Sequence, residues 1–304
     1  MLVQPATSGV DLCAWAGGEI ERIRGEVLRH GALLFRGFDV RSPSEFEKFI
    51  RVTSGEPLSY VERSSPRTQV EGNVYSSTEY PAEHEIFLHC ENSYQSTWPL
   101  KIFFFCRKPA PRGGETPIAD TRRILSQIEP SVREAFERRG VMYVRNFGGG
   151  LGLSWQTVFQ TGQRAVVEQY CRKAGIECNW ESESHLRTRQ IRLAIRNHPA
   201  TGEPVWFNHA VFFHVSTLEE TIRRVVMSSC EKKDYPNNTY YGDGGEIDGE
   251  TLNHLKEIHS RETTSFRWQA GDVLLLDNML AAHSRAAYEG ERKILVGMTE
   301  ACSA

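Results

Sequence analysis

The chain has 304 residues, with 36 Lys+Arg against 39 Asp+Glu, 10 His and a formal net charge of −3. At 39 % hydrophobic and 25 % charged it has an ordinary globular composition, which disfavours disorder and a membrane span. The near-neutral balance leaves no electrostatic footprint for nucleic acid or an anionic membrane. Cys13, Cys90, Cys106, Cys171, Cys178, Cys230 and Cys302 are odd in number and lack C-x-x-C spacing. They read as free thiols in a reducing cytoplasm rather than as disulfides or a structural zinc site. After Met1-Leu2-Val3 the sequence turns polar, so no export signal is expected.

In chain order, Glu19 to Arg29 carries apolar residues at helical spacing and runs into Gly31 as a stop. Ala32 to Phe38 reads as a buried strand. Ser42-Pro43-Ser44-Glu45 opens a helix with an N-cap, a proline at the first position and an acid at the third. Short strands follow at Ile86 to Leu88, Lys101 to Cys106 and Thr116 to Ala119. Residues 121–140 return to helix, Val141 to Val144 is strand, and 162–175 and 217–232 are helices. The last of these has Thr217 and Glu220 as its expected capping box, with Leu218, Ile222, Val225 and Val226 on one face. Strands at Val205 to Val215, Thr264 to Trp268, Val273 to Leu276 and Lys293 to Met298 close the chain. Strands at both ends around a helical middle predict an antiparallel sandwich or barrel carrying an insertion.

The chemistry rests on histidines. His84-Glu85-Ile86-Phe87-Leu88-His89 imitates a zinc-protease helix, but its two histidines lie five apart and share no helix face, so it is set aside. On a strand, His89 and Glu91 share one face while Cys90 points to the other. Composition alone supplies about one H-x-acid match by chance, so this pair is weak by itself. A third histidine strengthens it: Gly271 to Asn278 is a turn, a buried strand and a polar strand end, followed by His283 and, nine residues later, Arg292. Two histidines and a carboxylate with open positions are the ligand set of non-haem Fe(II) oxygenases. A guanidinium one strand beyond would meet a carboxylate co-substrate with its planar fork.

Leu88-His89-Cys90-Glu91-Asn92-Ser93-Tyr94, Gly113-Gly114-Glu115-Thr116-Pro117-Ile118-Ala119-Asp120, Tyr240 to Gly244, and Gly271-Asp272 through His283-Ser284-Arg285 to Gly290-Glu291-Arg292-Lys293 stand in the same order as in a known family. Over residues 30–300 the chain resembles the taurine dioxygenase-like Fe(II)/2-oxoglutarate oxygenases, within them the branch of the syringomycin-pathway aspartyl hydroxylase. The resemblance implies a mainly β, clavaminate synthase-like fold: a double-stranded β-helix (jelly-roll) core in one domain over 1–304, with a largely helical insertion at about 121–260. It implies Fe(II) held by His89, Glu91 and His283, and 2-oxoglutarate held by Arg292 and Thr116, with O2 as the other co-substrate. Two positions depart from the pattern: Ser284 stands where glycine is usual after the distal histidine, and Val296 where some relatives carry a second arginine.

Glu91 favours oxygenation over halogenation, since halogenating relatives lack that carboxylate. The implied reaction is hydroxylation of an unactivated C–H in an amino acid or amino-acid-derived substrate of specialised metabolism, free or tethered to a carrier protein. The same oxidation directed to desaturation or cyclisation is the first rival, and a non-catalytic jelly-roll binding protein the second. Asn92, Tyr94, Asn208 and His209 are the candidate substrate contacts; Asn92 is equally a turn former and His209 equally a satisfied structural histidine. Arg36 and Asp243 read as structural, and Arg187, Arg189 and Arg192 as a solvated face.

Overall fold

The computed structural model describes residues 1–58, 68–78, 80–148 and 152–303. Its frame is a seven-stranded sheet with strands in the order Leu2–Val3, Ala32–Phe35, Val273–Asp277, Thr97–Lys108, Lys293–Ser303, Val74–Ser76 and Gln69–Glu71. Two-residue alternation sorts its side chains into two cores. Phe103, Phe105, Val273, Leu275 and Leu295 face a layer of helices, Leu12–Gly18, Ile20–His30 and Pro43–Ser54. Ile102, Phe104, Leu274, Leu276, Ile294, Val296 and Met298 face the other way, onto Ala281 and Ile118 of a three-stranded sheet. That smaller sheet, in the order Ile86–His89, Ala281–Arg285 and Ile118–Asp120, completes the jelly roll.

The helix layer forms as its sequence dictates. Ser42 and Glu45 make a reciprocal capping box with Pro43 in the first turn, and Gly31 ends the preceding helix at φ 70°, a conformation that disfavours a Cβ. The strand after it is shorter than predicted and stops at Phe35; Arg36 N still donates to Val3 O at 3.0 Å, and the Arg36 side chain pairs with buried Asp272 at 2.6 Å.

The helices of residues 121–260 are set around a four-stranded sheet, Glu177–Trp180, Leu186–Arg192, Val141–Phe147 and Asn237–Tyr241, of which the sequence reading names only the third strand. Arg187 lies in it, paired with Glu181 and Asp234, and Arg189 pairs with Glu177. Asp243 pairs with Arg139 at the adjoining turn.

Three predicted elements differ. The strand expected from Val205 to Val215 covers only Pro204–Trp206, because Asn208 bonds Ala194 O and Ala210 N and turns the chain away from the ladder. Thr264 to Trp268 makes a single bridge, Thr264 to Ile118, and is otherwise irregular. Helix Glu220–Ser229 is capped by Glu219, whose carboxylate accepts from Thr221 N and Ile222 N; Thr217 instead donates to Val211 O. No helix among the described residues is long and apolar enough to cross a membrane.

Helix Gly249–Glu262 packs His259 against Phe87, behind the Ile86–His89 strand, with ring centroids 5.6 Å apart. His259 is buried, its Nδ1–H donates to Leu255 O at 2.7 Å, and burial pushes its pKa down to about 4. The unfolded chain therefore binds the extra proton first as pH falls below the ordinary histidine value. The stability contribution is complete above about pH 6.5 and is lost between there and about pH 4, to an extent on the order of 3 kcal/mol. Thermal melts of wild type should fall in this window, and His259→Leu should flatten that fall; an unaltered pH slope in the variant contradicts the assignment.

Candidate metal centre

The three-stranded sheet brings the chain's two ends together. His283 is the register partner of His89 on one side and of Ile118 on the other. The two imidazoles lie with centroids 4.4 Å apart, and one ligand atom each from His89, Glu91 and His283 fall within 4.8 Å of one another. The convergence differs from the expected strand alternation. The strand ends at His89, and Glu91 sits in a turn in which Asn92 takes φ 57°. The turn, not the pleat, aims the carboxylate.

The donor set suits a divalent first-row metal: two imidazoles and one hard carboxylate, without thiolate. The second contacts suit it too. His89 Nδ1 is 2.9 Å from Phe87 O; a carbonyl only accepts, so the proton sits on Nδ1 and the lone pair on Nε2. The His89 ring is further fixed by Phe212, stacked at 4.5 Å and 10°. Behind Glu91, the side chain of buried Asn278 accepts from Glu91 N at 2.7 Å and donates to Glu91 O and Pro99 O, both at 2.8 Å.

An inner cavity lies between His89 and His283 on one side and Arg292 on the other, also lined by Phe104, Thr116 and Ser77. Arg292 donates from Nε to Gly114 O at 2.8 Å, from Nη1 to Ser77 Oγ at 3.2 Å and from Nη2 to Thr116 Oγ1 at 3.4 Å. Gly114, at φ 73°, permits this approach: a Cβ there would lie 3.0 Å from Arg292 Cδ. Thr116 Oγ1 also accepts from Trp268 Nε1 at 3.1 Å. With two donors directed at its oxygen, the hydroxyl's own proton is left to donate to an anion. Burial, followed by repulsion from Arg285, pushes Arg292 down to about 10, which still leaves it cationic at neutral pH. Among the described residues, no carboxylate lines this cavity. It is a cationic recess next to a metal-type triad, its charge suited to a small carboxylate.

A second, larger cleft of about 480 Å³ opens outward, walled by Phe87, Phe212, Phe213, Leu218, Ile222 and Val226. Thr78, Ile86 and His89 line both spaces, so the two meet at a member of the triad. Leu218, Ile222 and Val226, expected to pack as one face, line this cleft, whereas Val225 is half exposed to solvent.

The four candidate substrate contacts lie behind that wall. Tyr94 is fully buried against His209, Phe213 and Tyr143. Asn208 has both ends of its amide bonded to backbone. His209 Nδ1 and Ser93 Oγ share a hydrogen bond of 2.5 Å, and burial, then His89, holds the His209 pKa well below the usual histidine value. Asn92 is buried in its turn, its Oδ1 without a hydrogen-bond partner. None of the four is among the residues lining either space. Sequence reasoning missed Asn278 and Trp268, whose roles depend on contacts across about 150 residues or more. The Asp277-Asn278 strand end was the only available signal.

Comparison with known proteins agrees with this geometry. The family model described as "Taurine catabolism dioxygenase TauD, TfdA family" matches residues 3–299. The chain is 43 % identical over 270 residues to the dapdiamide synthesis protein DdaC of Enterobacter agglomerans, covering 89 % of this chain and 82 % of that one. It is 28 % identical over 278 residues to a clavaminate synthase-like protein of Arabidopsis thaliana, covering 88 % and 81 %. Among solved structures, PvcB of Pseudomonas aeruginosa superposes with a TM-score of 0.58 at 17 % identity, covering 98 % of this chain and 84 % of that one, a likeness of fold. The chain belongs to the taurine catabolism dioxygenase TauD, TfdA family and is an Fe(II)- and 2-oxoglutarate-dependent oxygenase.

Proposed function

We propose that this enzyme hydroxylates an unactivated C–H of an amino acid or amino-acid-derived substrate, free or carrier-protein-tethered, in the synthesis of a specialised metabolite. The observation that carries this reading is the junction at His89: a cationic recess and a large, mostly apolar cleft open onto the same ligand. The 43 % identity to a dapdiamide synthesis protein supports the metabolic setting.

In this reading His89, Glu91 and His283 hold the metal, Arg292 and Thr116 hold the distal carboxylate of 2-oxoglutarate, and the outer cleft holds the substrate. Bound iron supplies activation of O2 coupled to oxidative decarboxylation of 2-oxoglutarate to succinate and CO2. The chain's own residues do the rest. The His89 tautomer keeps a lone pair available to the metal. The Arg292 fork and the Thr116 proton fix the co-substrate's orientation from its far end. The aromatic and aliphatic walls exclude water from the reacting C–H.

The test is a panel of amino acids and their amide and thioester derivatives, incubated with enzyme, Fe(II), 2-oxoglutarate and O2, with succinate and product mass followed together. The expected product gains one oxygen with stoichiometric succinate. A product lacking two hydrogens would establish desaturation or cyclisation instead. Failure of every substrate to stimulate succinate release above the substrate-free rate would contradict the reading.

A further inference from the structure

We propose that Asn278 is the positioning residue of the metal centre: its side-chain amide, acting as a surrogate peptide unit, sets where the Glu91 carboxylate stands and ties it to the strand that carries His283. The proposal rests on the reading of Glu91 as a metal ligand.

Glu91 lies outside any ladder, two residues beyond the end of its strand and before a residue at φ 57°. Its backbone N–H and C=O both pair with the Asn278 side chain. Asn278 offers one acceptor and two donors and spends all three here, on Glu91 N, Glu91 O and Pro99 O. The first two bonds reproduce the two-way exchange of an antiparallel peptide pair. A side chain with only one kind of group can meet one of them and leaves the other buried and unpaired.

Asn278 is itself held on every side. Its own N–H donates to Leu100 O at 2.9 Å. The preceding residue, fully buried Asp277, takes Lys101 Nζ at 2.8 Å and His198 Nε2 at 3.0 Å on one oxygen, and Met279 N and Leu280 N on the other. Thr121 Oγ1 donates to Met279 O, and Thr121 N to Leu280 O. The strand Ala281–Arg285 starts immediately afterwards and delivers His283. One rigid segment thus positions two ligands of the triad: His283 through the chain, and Glu91 through the amide. None of these groups touches the metal, so the effect is one of geometry.

The experiment is a double-mutant cycle read as Mn(II) affinity by calorimetry on metal-free protein, which needs no turnover. Asn278→Ala should weaken Mn(II) binding about 10- to 100-fold, the range for loss of a partner behind a ligand. Glu91→Ala should weaken it more, and adding Asn278→Ala to Glu91→Ala should change nothing further. Unchanged affinity in Asn278→Ala, or the same additional loss in the Glu91→Ala background, overturns the proposal. Wild-type affinity in Glu91→Ala would instead overturn the ligand reading beneath it. Should Asn278→Ala fail to fold, Asn278→Asp keeps the shape and loses the donors to Glu91 O and Pro99 O, and is expected to give the same cycle. Hydrogen exchange on wild-type protein adds a check free of variants: the Glu91 amide should be protected like a core strand amide, and rapid exchange would overturn the proposal.

Discussion

His283→Ala should abolish 2-oxoglutarate turnover while leaving a folded protein. His283 is the central member of the three-stranded sheet, paired on both sides, 5 % exposed and packed against Phe104 with ring centroids 5.2 Å apart. Its removal leaves one imidazole and one carboxylate, too few to hold a divalent ion in a defined geometry. The loss should exceed the roughly 10- to 100-fold that follows removal of a partner behind a ligand. The backbone register does not depend on the imidazole, so the expected stability cost is that of an ordinary buried truncation, about 1–3 kcal/mol. Circular dichroism, Mn(II) titration and succinate release together separate the two effects. Full turnover in a folded His283→Ala protein contradicts the assignment.

Arg292→Ala should act chiefly on the co-substrate. The guanidinium is held by Gly114 O, Ser77 Oγ and Thr116 Oγ1, and no carboxylate among the described cavity-lining residues neutralises it. A charged hydrogen bond contributes roughly 1.5–3 kcal/mol, so its loss should raise the KM for 2-oxoglutarate about 10- to 100-fold. At saturating 2-oxoglutarate, kcat should change far less. Arg292→Lys should recover only part of the loss, since an ammonium restores the charge without the planar fork that spans these three oxygens. Succinate release over a range of 2-oxoglutarate concentrations measures both parameters. An unchanged KM in Arg292→Ala would remove Arg292 from the co-substrate site.

Which parts of this were legible in the sequence follows from the range of the interactions. Ser42 and Glu45, three residues apart, announce their capping box because every contact in it is local. The pair of His89 and Glu91 with a distant His283 is legible as chemistry, since few side-chain sets have that composition. How Glu91 comes to stand beside the two imidazoles is not legible. It depends on a turn stabilised from residue 278, and nothing local to residue 91 encodes it. The Val205 to Val215 run fails for a related reason: its β-rich pattern is overridden when Asn208 finds partners at Ala194 and Ala210. Tyr94, Asn208 and His209 stand near these elements in sequence, yet none of them lines either space. Proximity in sequence to His89 or Phe212 does not say which side of a wall a side chain occupies. Leu218, Ile222 and Val226 show the converse, an apolar helix face that lines the cleft.

The central claim is that one iron position is shared by the triad and the carboxylate recess. Anaerobic addition of Fe(II) and then 2-oxoglutarate to the metal-free protein tests it before any substrate is known. A visible charge-transfer band should appear in wild type, require more 2-oxoglutarate in Arg292→Ala and be absent in His283→Ala. No band in wild-type protein shown by titration to have bound both Fe(II) and 2-oxoglutarate would contradict the account.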